Sequence, residues 1–262
     1  MNPAADGDST DRPSAARIYD YLLGGSNNFA ADREVARQAV QAMPDLVVHA
    51  KVNRAFMNRA IRSIVDAGVT QFLDLGSGIP AVGNLHDIAL RGSPDARVVY
   101  VDIDPVAVAY GQRLLAGQPN LITIQADLRR PSEVLGDARV RAVLDFDRPI
   151  AVVLVAVLHV ISDTDDPYRI VAEYRDALAP GSYLVIGHGA RESRPEADSL
   201  VEISRQTTTP MTLRTSDEIA RFFDGFDVVD PGLVWAPLWR PDGPAPEDPQ
   251  SSGNVAGVGR RR

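Results

Sequence analysis

Several chemistries are excluded by what this 262-residue chain lacks. It has no cysteine, which rules out thiolate catalysis, disulfide bonds, cysteine-ligated zinc and iron–sulfur clusters. Its longest apolar run, residues 150–158, has the length of a strand and falls well short of the ~20 residues of a membrane span. The first residues also lack the apolar stretch of a signal peptide, so we expect a cytoplasmic protein without a membrane partner.

Basic residues are the minority among the charged ones. The chain has 27 Lys and Arg against 35 Asp and Glu, which gives a net charge of -8. Sequence-independent binding of nucleic acid needs a basic face that displaces counterions, so we expect no nucleic-acid partner. The basic clusters at 129–130 and 260–262 do not offset the acidic background, which does not exclude a local basic pocket. With 45% hydrophobic residues, the chain can bury a core.

The pattern of the chain changes near residue 69. Residues 1–13 are polar and predict a disordered tail. Three helical segments, 14–23, 31–42 and 45–67, then form a predicted helical cover over 14–68. From residue 69 to 262, short strands rich in β-branched residues alternate with helices, which predicts an α/β core with a parallel sheet covered on both faces.

The core divides into predicted strands and helices with a distinct carboxyl-terminal part. A capping box from Thr215 to Glu218 begins a late helix that reaches residue 223. The proline-rich segment 240–254 predicts an exposed loop, and the apolar run 255–258 predicts a last strand that returns into the sheet. The remaining predicted strands are 71–75, 97–102, 121–125, 150–156, 183–187, 226–229 and 232–235, and the remaining helices are 81–91, 105–116 and 167–178.

Three successive strand ends carry residues suited to binding a nucleoside. Gly76 and Gly78 follow the first strand and allow a ligand to approach the backbone. Asp102 ends the second strand, where a carboxylate can accept both ribose hydroxyls. Asp127 follows the third strand and is placed to meet an adenine amino group. A glycine turn alone is weak evidence, but the three positions together predict nucleoside binding.

Two cofactor classes fit this arrangement. A nicotinamide site wants G-x-G-x-x-G/A, which Gly76, Gly78 and Ala81 formally satisfy. Asp74 would repel a pyrophosphate, and Pro80 removes a backbone donor from the turn. S-adenosylmethionine (SAM) has no phosphate and carries an ammonium and a sulfonium, so the acidic residue favours SAM.

The same motifs resemble those of class I SAM-dependent methyltransferases. More narrowly, the run ARIYDYLLGG from Ala16 to Gly25, with Asp32-Arg33-Glu34, resembles the start of a bacterial family known as S-adenosyl methyltransferase, formerly a domain of unknown function. The resemblance covers about residues 14 to 262. It implies a Rossmann-like, doubly wound, seven-stranded and mostly parallel sheet with a terminal antiparallel strand. It also implies SAM as the methyl donor, its demethylated product S-adenosylhomocysteine, and no metal.

The resemblance further implies a role for each matching position. Gly76, Ser77 and Gly78 would lie against the methionine and ribose parts of SAM, and Asp74 would face its ammonium group. The remaining positions are Asp102 for the ribose hydroxyls, Ile103 packed on adenine, Asp127 and the amide of Leu128 at the adenine edge, and Ala156 and Val157 beneath the sulfonium.

The first 68 residues exceed what a minimal sheet of this kind needs. They either cover an apolar face or form a lid over the strand ends, and we favour a lid. Its predicted contacts to cofactor or substrate are Tyr19, Tyr21, Asn27 and Asn28. Arg54, on the third helix, either faces solvent or binds the SAM carboxylate, which has no other obvious cationic partner.

His159 is the leading candidate for a catalytic base, because it follows the fourth strand, where the acceptor approaches in this fold. A hydrogen-bonded structural histidine is the alternative, and His188 is a second candidate. Asp163, Asp165 and Asp166 could suggest a metal site but more simply begin a helix before Pro167.

The sequence therefore predicts an enzyme, a SAM-dependent methyltransferase that acts on a small-molecule acceptor. A SAM-binding sensor of the same fold that transfers no methyl group is the main alternative. A nicotinamide-dependent oxidoreductase is the less favoured one.

Overall fold

A central β-sheet organises the chain in this computed structural model, which describes residues 11–80, 83–244 and 246–262. Most side chains of its parallel strands are buried, because helices cover the sheet on both faces. Eight strands lie in the described ranges: β1 (Gln71–Leu75), β2 (Arg97–Asp102), β3 (Leu121–Gln125), β4 (Ala151–Val155), β5 (Tyr183–Gly189), β6 (Phe226–Val228), β7 (Val234–Trp235) and β8 (Asn254–Arg261).

The strand order places a switch point in the middle of the sheet. The order is β3-β2-β1-β4-β5-β8-β6, and β7 also pairs with β8. Strands β1 to β5 are parallel, with Leu73 opposite Val99 on one side and Val152 on the other. Since the connections run in opposite directions from β1 and β4, a crevice opens outside their carboxyl ends, where open α/β sheets bind ligands.

Ten α-helices occur in the same described ranges. They are α1 (Ala15–Leu22), α2 (Ala30–Ala42), α3 (Leu46–Asp66), α4 (Leu85–Gly92), α5 (Pro105–Leu114), α6 (Pro131–Gly136), α7 (Ala138–Val143), α8 (Pro167–Asp176), α9 (Ala197–Ser204) and α10 (Ser216–Ala220).

Alternating strand residues contribute to two separate cores. Successive side chains of a strand point to opposite faces, so Phe72 and Leu73 enter different clusters. Phe72 joins the core beneath α3, where Phe56 meets Trp239 edge-to-face at 5.4 Å. Leu73 joins the other core, which includes Ile170 of α8. This two-sided burial confirms the predicted doubly wound α/β architecture.

The helices of the predicted cover have two different positions. The α3 helix packs directly on the sheet, in contact with β4, β5 and β8. The α1 and α2 helices pack against each other, and α2 also packs against α9. Ala39 of α2 and Met43, which directly follows that helix, meet Ala197 and Leu200 of α9 in a small third apolar cluster. Two helices that are far apart in the sequence, α2 and α9, thus enclose the space above the strand ends.

The last strand enters the sheet, as predicted. β8 runs antiparallel between β5 and β6 and is longer than the predicted run 255–258. The strand predicted over 232–235 is shorter in the structure, where only the two residues of β7 pair with β8. Counting β7, the sheet has eight strands where seven were expected.

Several predicted boundaries shift. The helix predicted over 81–91 begins at Leu85, after an N-terminal capping box formed by Asn84 and Asp87, and residues 81–82 lie outside the described ones. Residues 1–10 of the predicted tail also lie outside them. The capping box of Thr215 and Glu218 is confirmed. The short helices α6, α7 and α9 were not predicted.

Candidate active site

The turn after β1 brings the backbone close to the segment that follows β4. Gly76 has a φ of +73°, and a Cβ atom placed there would lie 2.2 Å from Cγ2 of Val157, so only glycine fits. The amides of Gly76 and Ser77 both donate hydrogen bonds to the carbonyl of Val101, at 2.8 and 3.2 Å. The turn is therefore fixed between β2 and the end of β4.

Asp102 ends β2 with a buried carboxylate that the backbone holds in place. Its Oδ2 accepts a hydrogen bond from the amide of Gly78 at 2.7 Å, and its Oδ1 accepts one from the amide of Asp104 at 2.8 Å. Burial raises the pKa of Asp102 to about 6, and these backbone hydrogen bonds offset the effect only in part. The carboxylate is thus positioned and remains costly to ionise in the protein alone.

Asp74 lies within β1 and lines the same crevice. Burial raises its pKa to about 7, while the charge of Arg54 lowers it and that of Asp102 raises it further. Within the part of the chain that the structure describes, no group donates a hydrogen bond to its carboxylate. Arg54 donates to the carbonyl of Gly83 at 2.9 Å, and its buried Nε has no hydrogen-bond partner. Both side chains therefore have unused polar atoms.

Asp127 follows β3 and is already paired. Arg129 donates to it from its backbone amide at 2.9 Å and from Nη2 at 2.7 Å. Partial burial opposes ionisation, but the hydrogen bonds from Arg129 outweigh it and lower the pKa of Asp127. A ligand at this carboxylate would share it with Arg129.

The segment after β4 has a constrained backbone. Ala156 has a φ of +60°, a conformation that costs energy for a residue with a side chain and that concentrates at functional sites. Its amide donates to the carbonyl of Gly187 at 2.9 Å. His159 follows three residues later, and burial, with a smaller effect of the Arg214 charge, lowers its pKa to about 4. Its Nδ1 is buried without a hydrogen-bond partner.

One cavity of ≈ 1040 Å³ connects these groups. This volume slightly exceeds the range of roughly 300–1,000 Å³ for small-molecule sites and is enough for more than one ligand. Every residue predicted to bind the cofactor lines it, as does His159, whereas His188, the second candidate for the base, does not. The lining residues from the prediction are Tyr19, Arg54, Asp74, Gly76, Ser77, Gly78, Asp102, Ile103, Asp127, Leu128, Ala156, Val157 and His159.

The structure places Tyr21, Asn27 and Asn28 outside the cavity lining. The carboxylate of Asp20 accepts hydrogen bonds from the amide of Asn27 at 2.9 Å and from Nδ2 of Asn28 at 2.8 Å. These amides therefore stabilise the turn between α1 and α2. Tyr19 does line the cavity, and its hydroxyl donates to the carbonyl of Ala50 at 3.0 Å.

Sequence reasoning missed the wall opposite the strand ends. That wall consists of α9 and the segment 207–213, whose residues line the cavity beside those of α2. The amide of Thr212 donates to the carbonyl of His159 at 2.7 Å, which fixes the segment to the end of β4. The threonine-rich run TTTPMT was the available signal, because hydroxyls beside apolar residues suit a ligand pocket.

A buried ionic cluster was also missed. Arg17 of α1 donates to Asp32 at 2.9 Å and to Asp104 at 3.0 Å, and all three side chains are almost fully buried. Asp104 in turn donates its backbone amide to Asp102. The first helix is thereby connected to the carboxyl end of β2.

Comparison with known proteins decides the family. The model of a protein family described as S-adenosyl methyltransferase matches residues 3–262. The chain belongs to this family. No curated protein sequence matches it.

Solved structures agree with this S-adenosyl methyltransferase assignment. A candidate methyltransferase of Thermobifida fusca YX is 44% identical, with a TM-score of 0.92 over 97% of each chain. A DUF574 family protein of Streptomyces avermitilis MA-4680 is 37% identical, with a TM-score of 0.92 over 97% of this chain and 99% of that one.

A more distant likeness extends to the fold alone. Human N-acetylserotonin methyltransferase, solved with SAM, is 14% identical, with a TM-score of 0.52 over 96% of this chain and 63% of that one. The class I methyltransferase fold predicted from the strand-end motifs is thus confirmed. Membership of the S-adenosyl methyltransferase family makes the chain a SAM-dependent methyltransferase.

Two further properties concern the described residues of this S-adenosyl methyltransferase. None of their helices combines the length and the apolar character needed to cross a membrane. They also contain no group of three or more His, Asp or Glu residues arranged to hold a metal ion.

Proposed function

We propose that the cavity binds SAM at the strand ends and a small-molecule methyl acceptor beside it. The observation that carries this proposal is the single cavity of ≈ 1040 Å³, which extends from the glycine turn and Asp102 to the apolar wall of α2 and α9. A site for SAM alone would not need that wall.

The residues at the strand ends fit SAM. Gly76 and Gly78 leave the turn without side chains, and Asp102 is held by two backbone amides at the end of β2, where it can accept the ribose hydroxyls. Ile103, which is 47% exposed, offers an apolar surface for adenine beside Asp127 and the amide of Leu128. Val157 and Ala156 would contact the part of the ligand above β4.

The two ends of the amino-acid part of SAM have matching partners. Asp74 has a carboxylate without a hydrogen bond and is placed for the ammonium group. Arg54 has an unpartnered Nε in the same cavity and is placed for the carboxylate. Each ionic contact would also relieve the cost of burying these side chains.

The acceptor would lie against α1, α2, α9 and the segment 207–213. When bound, SAM supplies a methyl group on a positively charged sulfur. An electron pair of the acceptor can attack this methyl carbon, and the sulfur is the leaving group. The protein holds the acceptor in line and excludes water, which accounts for much of the rate enhancement in such a displacement. His159 is uncharged at neutral pH, so that a ring nitrogen can accept a proton or a hydrogen bond from the acceptor.

Residues 14–68 form a cover over a catalytic core of residues 69–262 in this proposal. Within the cover, α1 and α2 close the acceptor side, while α3 supports the sheet and carries Arg54. Tyr19 is the member of the predicted lid contacts that lines the cavity.

Calorimetric titration with SAM tests the cofactor site. We expect Asp102→Ala to weaken binding by about tenfold or more, because hydrogen bonds to a charged group contribute about 1.5–3 kcal/mol each. The matched control is Asp147→Ala, which removes an exposed carboxylate from the loop before β4 and should leave the affinity unchanged. Equal affinity of both variants and the wild type would contradict the site.

Transfer of a labelled methyl group from SAM into a metabolite extract tests the acceptor. Label in small molecules would support the proposal, and His159→Gln should reduce that transfer without weakening SAM binding. Tight SAM binding with label in no small molecule would instead favour a sensor or a macromolecular acceptor.

A further inference from the structure

A buried arginine lies directly behind the acceptor side of the cavity. Arg214 is 1% exposed, and its Nη1 donates to the carbonyl of Leu158 while its Nη2 donates to that of Ile161, both at 2.9 Å. These two carbonyls flank His159 and Val160, which line the cavity. The guanidinium therefore fixes the segment that presents His159.

The positive charge of Arg214 is only partly balanced. Its ionic partner is Asp163, with Nη2 and Oδ1 2.6 Å apart, but the Asp163 side chain is 67% exposed and the Arg214 side chain 2%. Water screens the exposed carboxylate far more than the buried guanidinium. The buried guanidinium of Arg214 therefore produces a net positive electrostatic potential on the cavity side of this ion pair.

The ring of His188, which contacts Arg214, is neutral and so leaves the net charge around Arg214 unchanged. Nη1 of Arg214 lies 3.2 Å from Nε2 of His188, and a guanidinium nitrogen can only donate, so Nε2 is the acceptor. The proton of the neutral ring is then on Nδ1, which donates to the carbonyl of Gly189 at 2.8 Å. Burial lowers the pKa of His188 well below its usual value, consistent with a neutral ring.

The cavity wall near His159 carries apolar side chains and uncharged hydroxyls. Val160 and Ile161 follow it in sequence, and Met211 and Leu213 flank Thr212, whose amide is bonded to the His159 carbonyl. The carboxylates that line the cavity are Asp74, Asp102, Asp104, Asp127 and Asp165 among the described residues. Asp104 is paired with Arg17, and Asp165 lies 3.6 Å from Arg129.

We propose that the methyl acceptor is an apolar compound that reacts through an ionised hydroxyl oxygen, of the phenol or enol class, and that Arg214 is the positioning residue that selects it. This inference rests on the proposed function. A positive potential stabilises an oxyanion, whereas it repels an ammonium group and opposes the positive charge that a methylated amine acquires.

The acceptor oxygen, having given its proton to solvent, donates an electron pair to the methyl carbon. The O–CH₃ bond forms as the C–S bond breaks, and the pair of that bond returns to sulfur, which becomes a neutral thioether.

The test measures the ionisation of a bound phenol. The full-length protein is first loaded with S-adenosylhomocysteine, with binding verified by calorimetry, and 4-nitrophenol, whose anion is coloured, is then titrated with base in its presence. At the same pH, we expect the ratio of anion to neutral phenol to be about tenfold higher for the bound phenol than for the free phenol. The cation 4-nitrobenzylammonium should bind at least tenfold more weakly than 4-nitrophenol.

Two variants separate the charge of Arg214 from its role in folding. Asp163→Asn removes the exposed partner and keeps the buried arginine, so the bound phenol should ionise still more readily. Asp227→Asn, which removes an exposed carboxylate paired with Arg262 at the distant β6 edge, should change nothing. Arg214→Lys should retain part of the effect and Arg214→Met should lose it.

The outcomes are distinct. A bound phenol that ionises like the free one, a loss of ionisation in Asp163→Asn, or preferred binding of the benzylammonium would overturn the inference. Binding of S-adenosylhomocysteine without any binding of the phenol overturns it too and leaves the proposed function standing. Failure of S-adenosylhomocysteine to bind overturns both.

Discussion

At the scale of single residues, the buried carboxylate of Asp74 shows how binding and stability oppose each other. Burial raises its pKa from 3.8 to about 7, so the folded state holds the proton more tightly than the unfolded state. The resulting stabilisation is fully present below about pH 4 and is lost as the pH rises through about 7. Ionised Asp74 is therefore a cost to the ligand-free protein above that pH.

Asp74→Asn should therefore make the ligand-free protein more stable than the wild type at about pH 8, and this gain should vanish at about pH 4. Each kcal/mol corresponds to about 2–4 °C in Tm for a chain of this size. Thermal unfolding across this pH range measures the difference. The same variant should bind SAM more weakly at about pH 8, since it cannot pair with the ammonium. A lower Tm at both pH values would contradict the argument.

The second glycine of the DYLLGG run, Gly25, lies too close to the side chain of Asp20 to be replaced by a larger residue. A Cβ atom there would lie 2.1 Å from Oδ1 of Asp20, and that carboxylate cannot withdraw because it is bonded to Asn27 and Asn28. Gly25→Ala should destabilise the protein by about 1–3 kcal/mol, as overpacking does. Denaturant unfolding measures this change.

Gly136→Ala is the matched control. Gly136 ends α6, and a Cβ atom there would have no neighbour within 4 Å. The unfolding free energy of the Gly136→Ala variant should stay within about 0.5 kcal/mol of the wild-type value. Equal stability of the two alanine variants would mean that Asp20 does not require glycine at position 25.

At the scale of elements, Arg17 connects the α1 helix to the loop after β2. Its guanidinium pairs with Asp32 and Asp104 at 2% exposure. Arg17→Met would leave two buried carboxylates without their cation, which typically costs about 3–5 kcal/mol. Because Asp104 also donates its amide to Asp102, we expect weaker SAM binding as well.

Denaturant unfolding and calorimetry measure these two effects. The control is Arg37→Met on α2, where the ion pair with Glu34 is more than half exposed on both sides. Exposed pairs contribute about 0–1 kcal/mol, so this variant should resemble the wild type. If Arg17→Met bound SAM normally, the connection from α1 to the cofactor site would be refuted.

The strands of the core were predictable because their signals are local. The bounds of β1, β2 and β3 agree with the sequence prediction at every residue, since each is a short, largely apolar run between turn residues. The α9 helix was not predictable in the same way. It has only eight residues, and its apolar side is defined by contact with α2, more than 150 positions earlier in the chain. Such contacts leave no periodic pattern long enough to recognise.

At the scale of the whole molecule, the cavity brings together a charged cofactor side and an apolar acceptor side. Met211 lies on the acceptor side, lines the cavity and is only half-buried against the third apolar cluster, so a larger side chain there can extend into the cavity. Met211→Trp should reduce methyl transfer to the acceptor at least tenfold and leave binding of S-adenosylhomocysteine within about twofold of the wild type.

Val48→Trp provides the control for added bulk. Val48 is on α3, 53% exposed, and does not line the cavity. Methyl transfer and S-adenosylhomocysteine binding should both be unchanged in this variant. If Met211→Trp weakened S-adenosylhomocysteine binding as strongly as it reduced transfer, the two sides of the cavity would not be separate.

The sequence led to one side of the site and not to the other for a physical reason. Residues that follow parallel strands meet at one sheet edge whatever the rest of the fold does, so Gly76, Asp102 and Asp127 could be grouped from spacing alone. Arg214 comes near His159 only through the packing of segment 207–214 onto the end of β4. That packing depends on the complete tertiary structure, and no spacing rule expresses it.

The two buried carboxylates at the strand ends also imply a change in proton number. Asp74 and Asp102 have pKa values raised to about 7 and about 6, so near neutral pH Asp74 is partly protonated before a cationic ligand arrives. Under the proposed assignment, the ammonium of SAM takes the place of that proton, and the proton passes to the buffer. Binding is then an exchange of one cation for another. The measured heat will include the ionisation heat of the buffer, and occupancy of the site will rise as the surroundings become more alkaline.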